Sequence, residues 1–389
     1  MTSSDESPFI VFGAPDIHSD EINEVVATLE SGWIGSGPKV AQFEEEFANL
    51  KGISQDQVAA VNSCTAALHV SMIAANLEPG DEVLTTAMTF CATANAIIHA
   101  GATPVLVDID PITLNIDTAQ LQQRITPRTR AILPVHFAGR PCDMDDIMAV
   151  SKKHNLIVIE DCAHAIETQW HGQHAGTFGD FGCFSFYVTK NVVTGEGGMV
   201  LARSSEMIDR IKILALHGMS KDAWRRFGDD GYKHYDVVEA GFKYNMMDLQ
   251  AALGIHQLRR VEQNWSRRRD IWQAYQHAFS DFPIGKPSEP EEHTRHAYHL
   301  YTLTVDEQNC GMSRDDFIGC MSDAGIGLGV HYRSLAQQRY YQSEYGWRPE
   351  DYPVSTAFGD NTVSLPLGPK LQDAEVDRII ETVTATIAK

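Results

Sequence analysis

The chain has 389 residues, with 31 Lys and Arg against 52 Asp and Glu, a formal net charge of -21 with histidines neutral. A field of that sign repels polyanions, which argues against a nucleic-acid or anionic-membrane partner but not against a small anion in a local pocket. Hydrophobic residues make up 43%, and single cores stop growing at roughly 250–300 residues, so two lobes are expected, a large one over 1–260 and a small one over 261–389.

The opening MTSSDESPFI has no basic segment followed by an apolar stretch, so no secretory signal is read there. No run reaches the ~18 apolar residues of a spanning helix. Seven cysteines are scattered without a C-x-x-C and read as reduced thiols, with neither a disulfide frame nor a bound metal. These features predict a soluble, cytoplasmic protein.

From about residue 57 to 216, apolar runs alternate with segments of helical period. The β-like runs are EVLTT (82–86), TPVLVDID (103–110), RAILPVHF (130–137), LIVIED (156–161), GCFSFY (182–187) and GGMVLA (197–202). Several are near-continuous in Val, Ile and Leu, as strands covered on both faces are. Helices are predicted over 65–76, 89–100, 117–124, 143–154 and 205–217. Such alternation implies an α/β fold with mostly parallel pairing.

The stretch 218–244 is polar and reads as a long loop with a binding or interface role. A single amphipathic helix is predicted over 246–278, followed by the punctuating PIGKPSEPEE (283–292) and a smaller α+β lobe. Within it, HTRHAYHLY (293–301) reads as a strand rather than a metal site. The run RRRD (267–270) reads as a solvated helix face.

Ligands in parallel sheets collect outside the carboxyl ends of the strands, and three segments end strands with reactive residues. IEDCAHA carries Asp161 and His164, SFYVTKN carries Ser185 and Lys190, and NSCTAALH places Ser63 and Thr65 at a helix start. Singly, each has a plainer meaning: a cap, a turn former or a surface charge. Together they match the needs of pyridoxal phosphate. A lysine amine must condense with its aldehyde and later move protons. A carboxylate must keep the pyridine nitrogen protonated. A helix N-terminus with hydroxyls beside it must hold the phosphate, and an aromatic ring such as Phe90 can cover one face.

The run SFYVTKNVVTGEGGMV (185–200), with EDCAHAIE (160–167) before it and GFKYNMMDLQAALG (241–254) after it, resembles the DegT/StrS-type sugar aminotransferases over nearly the whole chain. The members it most resembles aminate a UDP-4-keto-pentose. That resemblance implies a fold-type I enzyme, with a mostly parallel seven-stranded sheet flanked by helices and a smaller C-terminal α+β domain. It implies Lys190 as the cofactor lysine, Asp161 at the pyridine nitrogen and His164 near the ring hydroxyl. Ser63, Cys64, Thr65 and Ser185 would surround the phosphate, and Phe90 would stack on the ring. Asn245 would reach the phosphate from a neighbouring subunit, which implies a homodimer with shared sites. His331 falls where relatives contact substrate.

Two departures stand out: Cys64 replaces the usual Gly or Ala and could crowd the phosphate, and Tyr187 replaces a common His. Because Lys190 is kept where sugar-dehydrating relatives have histidine, transamination is favoured. The resemblance implies L-glutamate as amino donor and a nucleotide-linked 4-keto-sugar as acceptor, with C3 amination, a cyclitol ketone or a non-catalytic regulatory role as alternatives. Lys221, Arg225, Arg226, Lys243 and Arg333 are the candidate cations for the nucleotide diphosphate.

Overall fold

The computed structural model describes residues 8–220 and 235–388. The large lobe begins with helices α1 (Ser19–Glu30) and α2 (Pro38–Lys51), strand β1 (Val58–Val61) and helix α3 (Cys64–Ala74). It continues with β2 (Glu82–Thr86), α4 (Cys91–His99), β3 (Thr103–Val107), α5 (Thr118–Arg124), β4 (Thr129–Leu133) and α6 (Met144–His154). Then come β5 (Ile157–Asp161), the short β6 (Gln169–Trp170) and β7 (Gln173–His174), β8 (Phe181–Ser185), β9 (Gly198–Ala202) and α7 (Ser205–Ala215).

These strands form a seven-stranded sheet in the order β1-β9-β8-β5-β4-β2-β3. From β3 to β8 the pairing is parallel, and β9 runs antiparallel to both β8 and β1. All six predicted runs are strands of this sheet. The seventh strand, β1, is the four-residue VAAV, too short for its period to stand out. Side chains alternate between two faces, as the strand repeat of two demands. On β9, Val200 and Ala202 join a core with α3 and α7, whereas Met199 and Leu201 pack on the other side with α2 and α8.

The predicted single helix over 246–278 is in fact two, α8 (Asp248–Arg259) and α9 (Val261–Ala278). The break falls at Arg260, whose φ of -101° and ψ of 5° leave the helical region. Its side chain turns to the large lobe, where it pairs with the buried carboxylate of Glu21 at 2.6 Å.

The remaining elements are β10 (Thr294–Arg295), β11 (Tyr301–Thr304), α10 (Glu307–Cys310), α11 (Arg314–Asp323), α12 (Arg339–Tyr345), α13 (Pro353–Asn361), β12 (Thr362–Leu365) and α14 (Asp373–Ile387). A second apolar core gathers Trp272 and Tyr275 of α9, Phe317 of α11, Ile379 of α14 and the inner faces of β11 and β12. Ile10 belongs to it as well, bridged to Ile326.

Two expectations for this part are corrected. Only Thr294–Arg295 and Tyr301 of HTRHAYHLY are in strands. Tyr298 takes a left-handed φ of 49°, and the backbone N–H groups of Ala297 and His299 donate to Gly139 O and Ala138 O in the large lobe. The segment is therefore tied to the sheet domain and does not continue the small one. Nor is RRRD wholly solvated: Arg268 is buried and donates to Leu367 O at 2.8 Å. Among the described residues, no helix is long and apolar enough to cross a membrane.

Candidate active site

A cavity of about 490 Å³ opens at the carboxyl ends of β5 and β8. Nine of the predicted site residues line it: Ser63, Cys64, Thr65, Phe90, Asp161, His164, Ser185, Lys190 and, from the C-terminal part of the chain, His331.

Asp161 is the last residue of β5 and is buried. Its Oδ1 accepts from Ala163 N at 3.1 Å and its Oδ2 from the Thr93 hydroxyl at 2.8 Å, with Thr89 hydrogen-bonded to Thr93 at 2.7 Å. Burial pushes its carboxyl above the usual range, against the pull of the Ala163 N–H and the Thr93 hydroxyl. Lys190 sits in the turn after β8, where its N–H donates to Tyr187 O at 2.8 Å. Burial depresses its amine to about 8, with Cys64 and Asp161 acting in the opposite sense. Such an amine is largely protonated at neutral pH yet close enough to its midpoint to give and take protons.

Ser63 caps α3, accepting from Ala66 N at 3.1 Å, and the first N–H groups of a helix have no intrahelical partner. Gly198, at the start of β9, lies tight against this turn: a Cβ there would fall 2.5 Å from Ser63 C and O. Cys64, the first residue of α3, also lines the cavity, and its Sγ is directed at Cys183 O at 3.6 Å in the sheet.

His164 Nδ1 accepts from Ala138 N–H at 3.2 Å, which leaves the proton on Nε2, 3.2 Å from the Tyr332 hydroxyl. Burial holds this imidazole neutral, its pKa well below the usual value. His331 contacts Ser364 Oγ at 2.9 Å through Nδ1, stacks on Phe12 and is depressed to about 4 by burial. Phe90 stands exposed at the N-terminus of α4, 6.0 Å from the Tyr332 ring.

The other expected contacts are not gathered by this chain alone. Asn245 lies outside the cavity and donates to Ser36 Oγ at 2.6 Å, while its buried Oδ1 has no partner among the described residues. Lys243 and Arg333 are exposed and do not line the cavity. Lys221, Arg225 and Arg226 lie outside the described residues.

Pyridoxal phosphate suits these groups. A buried carboxylate whose one side-chain hydrogen bond among the described residues is from Thr93 can still take a pyridinium N–H. A capped helix start with Ser63, Thr65 and Ser185 nearby offers neutral donors to a phosphate. The comparisons decide the matter: the family model described as DegT/DnrJ/EryC1/StrS aminotransferase matches residues 15–384.

The chain belongs to that aminotransferase family. It is 48% identical to the spore coat polysaccharide biosynthesis protein SpsC of Bacillus subtilis over 376 residues, 96% of each chain. Spr1654 of Streptococcus pneumoniae, in its PMP form, superposes with a TM-score of 0.90 at 36% identity, covering 98% of both chains. PseC of Helicobacter pylori, an aminotransferase involved in pseudoaminic acid biosynthesis, gives a TM-score of 0.90 at 26% identity over 98% of this chain and 99% of its own. The enzyme is thus a pyridoxal-phosphate-dependent transaminase of a sugar aminotransferase family.

Several residues of the aminotransferase cavity were not found from sequence: Thr89, Thr93, Glu196 and Tyr332. For the threonines a signal existed. In TFCAT they stand four apart at a helix start, which puts them on one face. Nothing local distinguishes Tyr332, whose place depends on the packing of the two lobes.

Proposed function

We propose that this enzyme moves an amino group from L-glutamate to a nucleotide-linked 4-keto-sugar. The observation carrying this reading is the meeting of Asp161, Lys190 and the α3 N-terminus in one cavity. Bound pyridoxal phosphate supplies the aldehyde that takes up the amine and a ring that accepts the electron pair at the substrate carbon. Lys190 Nζ takes the proton from the glutamate α-carbon and delivers one to the amine-bearing sugar carbon. Asp161 would keep the ring nitrogen protonated, and His164 would donate from Nε2 to the ring oxygen. Ser63, Thr65 and Ser185 would hold the phosphate through uncharged donors, and Phe90 would cover the ring.

A homodimer with shared sites belongs to the same proposal. The Oδ1 of Asn245, without a partner among the described residues, would meet one across the interface, and its amide would reach the other subunit's cofactor phosphate. Ile22, Val26, Leu29, Trp33 and Ile34 form an exposed apolar surface on α1 and the turn after it, as subunit interfaces do. The nucleotide diphosphate would be held by Lys221 and Arg225, and the sugar by His331. Tyr187, exposed at the cavity, would shape the sugar pocket. A division at about residue 260 would let the two lobes close on the substrate.

The test is spectroscopic. L-glutamate should bleach the yellow protein to its pyridoxamine form, and a panel of UDP- and dTDP-linked keto-sugars should restore the colour selectively with 4-keto-sugars. No colour change with any amino acid would favour a regulatory member of the family, and recovery only with 3-keto-sugars or cyclitol ketones would move the site of amination.

A further inference from the structure

The histidines of HTRHAYHLY are absorbed neither by a strand nor by the residues proposed above, yet His299 is buried and close to the active site. Its ring lies 4.3 Å from that of His164. Its Nδ1 is 2.9 Å from Asn191 Oδ1, and Asn191 directly follows Lys190. The Asn191 amide is fully committed, donating to Glu167 Oε2 at 2.9 Å and to Ala297 O at 2.9 Å. With both amide hydrogens used, Oδ1 can only accept, so His299 Nδ1 carries the proton and Nε2 keeps a bare lone pair. The two neighbouring histidines therefore hold opposite tautomers, His164 as an Nε2 donor and His299 as an Nε2 acceptor.

Between the two lobes lies a void of about 20 Å³ bordered by Gly13, Thr189, Lys190, His299 and His331. A water needs roughly 10–15 Å³ and two to four polar partners, so the space suits one water and no larger group. We propose that His299 is a positioning residue for Lys190: its Nε2 anchors one water in this void, and that water accepts a hydrogen bond from the Lys190 ammonium. Glu167 and Asn191 act one step further back by fixing the tautomer. No proton leaves Lys190 along this path, whose effect is to orient the amine and favour its protonated form.

The inference rests on Lys190 being the amine that takes up the cofactor. Other groups also face that amine: Asp161 from β5, Cys64 from α3, His164 from the turn beyond β5 and His331 from the small lobe. Arg268 of α9 acts on His299. All of these remain when His299 alone is changed, so a variant isolates its contribution.

The test follows cofactor uptake by the cofactor-free protein, by absorbance, across a pH series. Uptake requires the neutral amine, so its rate rises with pH to a midpoint set by Lys190. Losing an acceptor that favours the ammonium should lower that midpoint by about one pH unit in His299→Leu. His299→Gln, which retains an acceptor, should return it toward the wild-type value. Asn191→Ala should shift it in the same direction as the leucine variant, and it carries the test together with His299→Gln if that variant does not fold. Midpoints equal to wild type would overturn the role of His299. Unchanged uptake in Lys190→Ala would instead overturn the assignment of Lys190.

Discussion

Lys51 and Lys190 are both shielded from solvent by neighbouring atoms, and burial depresses both amines to about 8. Lys51, at the end of α2, is fully engaged: Nζ donates to Ile166 O at 2.7 Å and stands 4.3 Å from the centre of the Phe184 ring. Lys190 lines an open cavity beside Asp161. A perturbed pKa therefore does not by itself mark a reactive lysine; what separates these two is whether the amine's partners are fixed backbone or a space for substrate.

The neighbouring carboxylates of β5 divide in the same way. Glu160 points away from the cavity and accepts from the N–H groups of Gly176, Phe178 and Gly179, with His136 at 3.1 Å. Asp161, on the opposite face, has Thr93 and Ala163 on one side and the cavity before it. The strand's repeat of two assigns one carboxylate to structure and the next to chemistry.

The contrast can be broken most severely at Lys190. Lys190→Ala should lower kcat by about 10⁴-fold or more with pyridoxal phosphate still reversibly bound, as read by steady-state assay and dialysis. Asp161→Ala should cost about 10³-fold in kcat/KM without lowering Tm, because it removes a desolvated carboxylate. Lys51→Met inverts the pattern: it should lose about 2 kcal/mol of stability in urea unfolding through the deserted carbonyls and keep its activity per folded molecule. Thr93→Val removes one hydrogen bond to Asp161 and should reduce kcat/KM about tenfold.

The smallest effect is in pH. Each lysine binds its proton less tightly when folded, about 8 against 10.5 for the ordinary amine. Stability of the cofactor-free protein is therefore fullest above 10.5 and lost as pH falls through about 8. Lys51→Met and Lys190→Met should each flatten that slope in Tm measured across this window. A slope unchanged by both would contradict the burial of the two amines.

The reactive strand ends were legible because they are local: an apolar run closing on Asp161 or Ser185, and a Ser-Cys-Thr helix start, show in a few adjacent residues. What stayed hidden depends on distant partners. No glycine or proline marks the break at Arg260, whose guanidinium is drawn to Glu21 across the fold. Lys51 reads as an ordinary charge at a helix end until the turns carrying Ile166 and Ala175 close over it. His299 reads as one of three alternating histidines, and only the Asn191 contact fixes its tautomer.

The most direct measurement is borohydride reduction of the cofactor-loaded protein followed by peptide mapping. The account predicts one modified peptide, carrying the label on Lys190, and no label on Lys51. A label on Lys51 or any other lysine, with Lys190 unmodified, would contradict it.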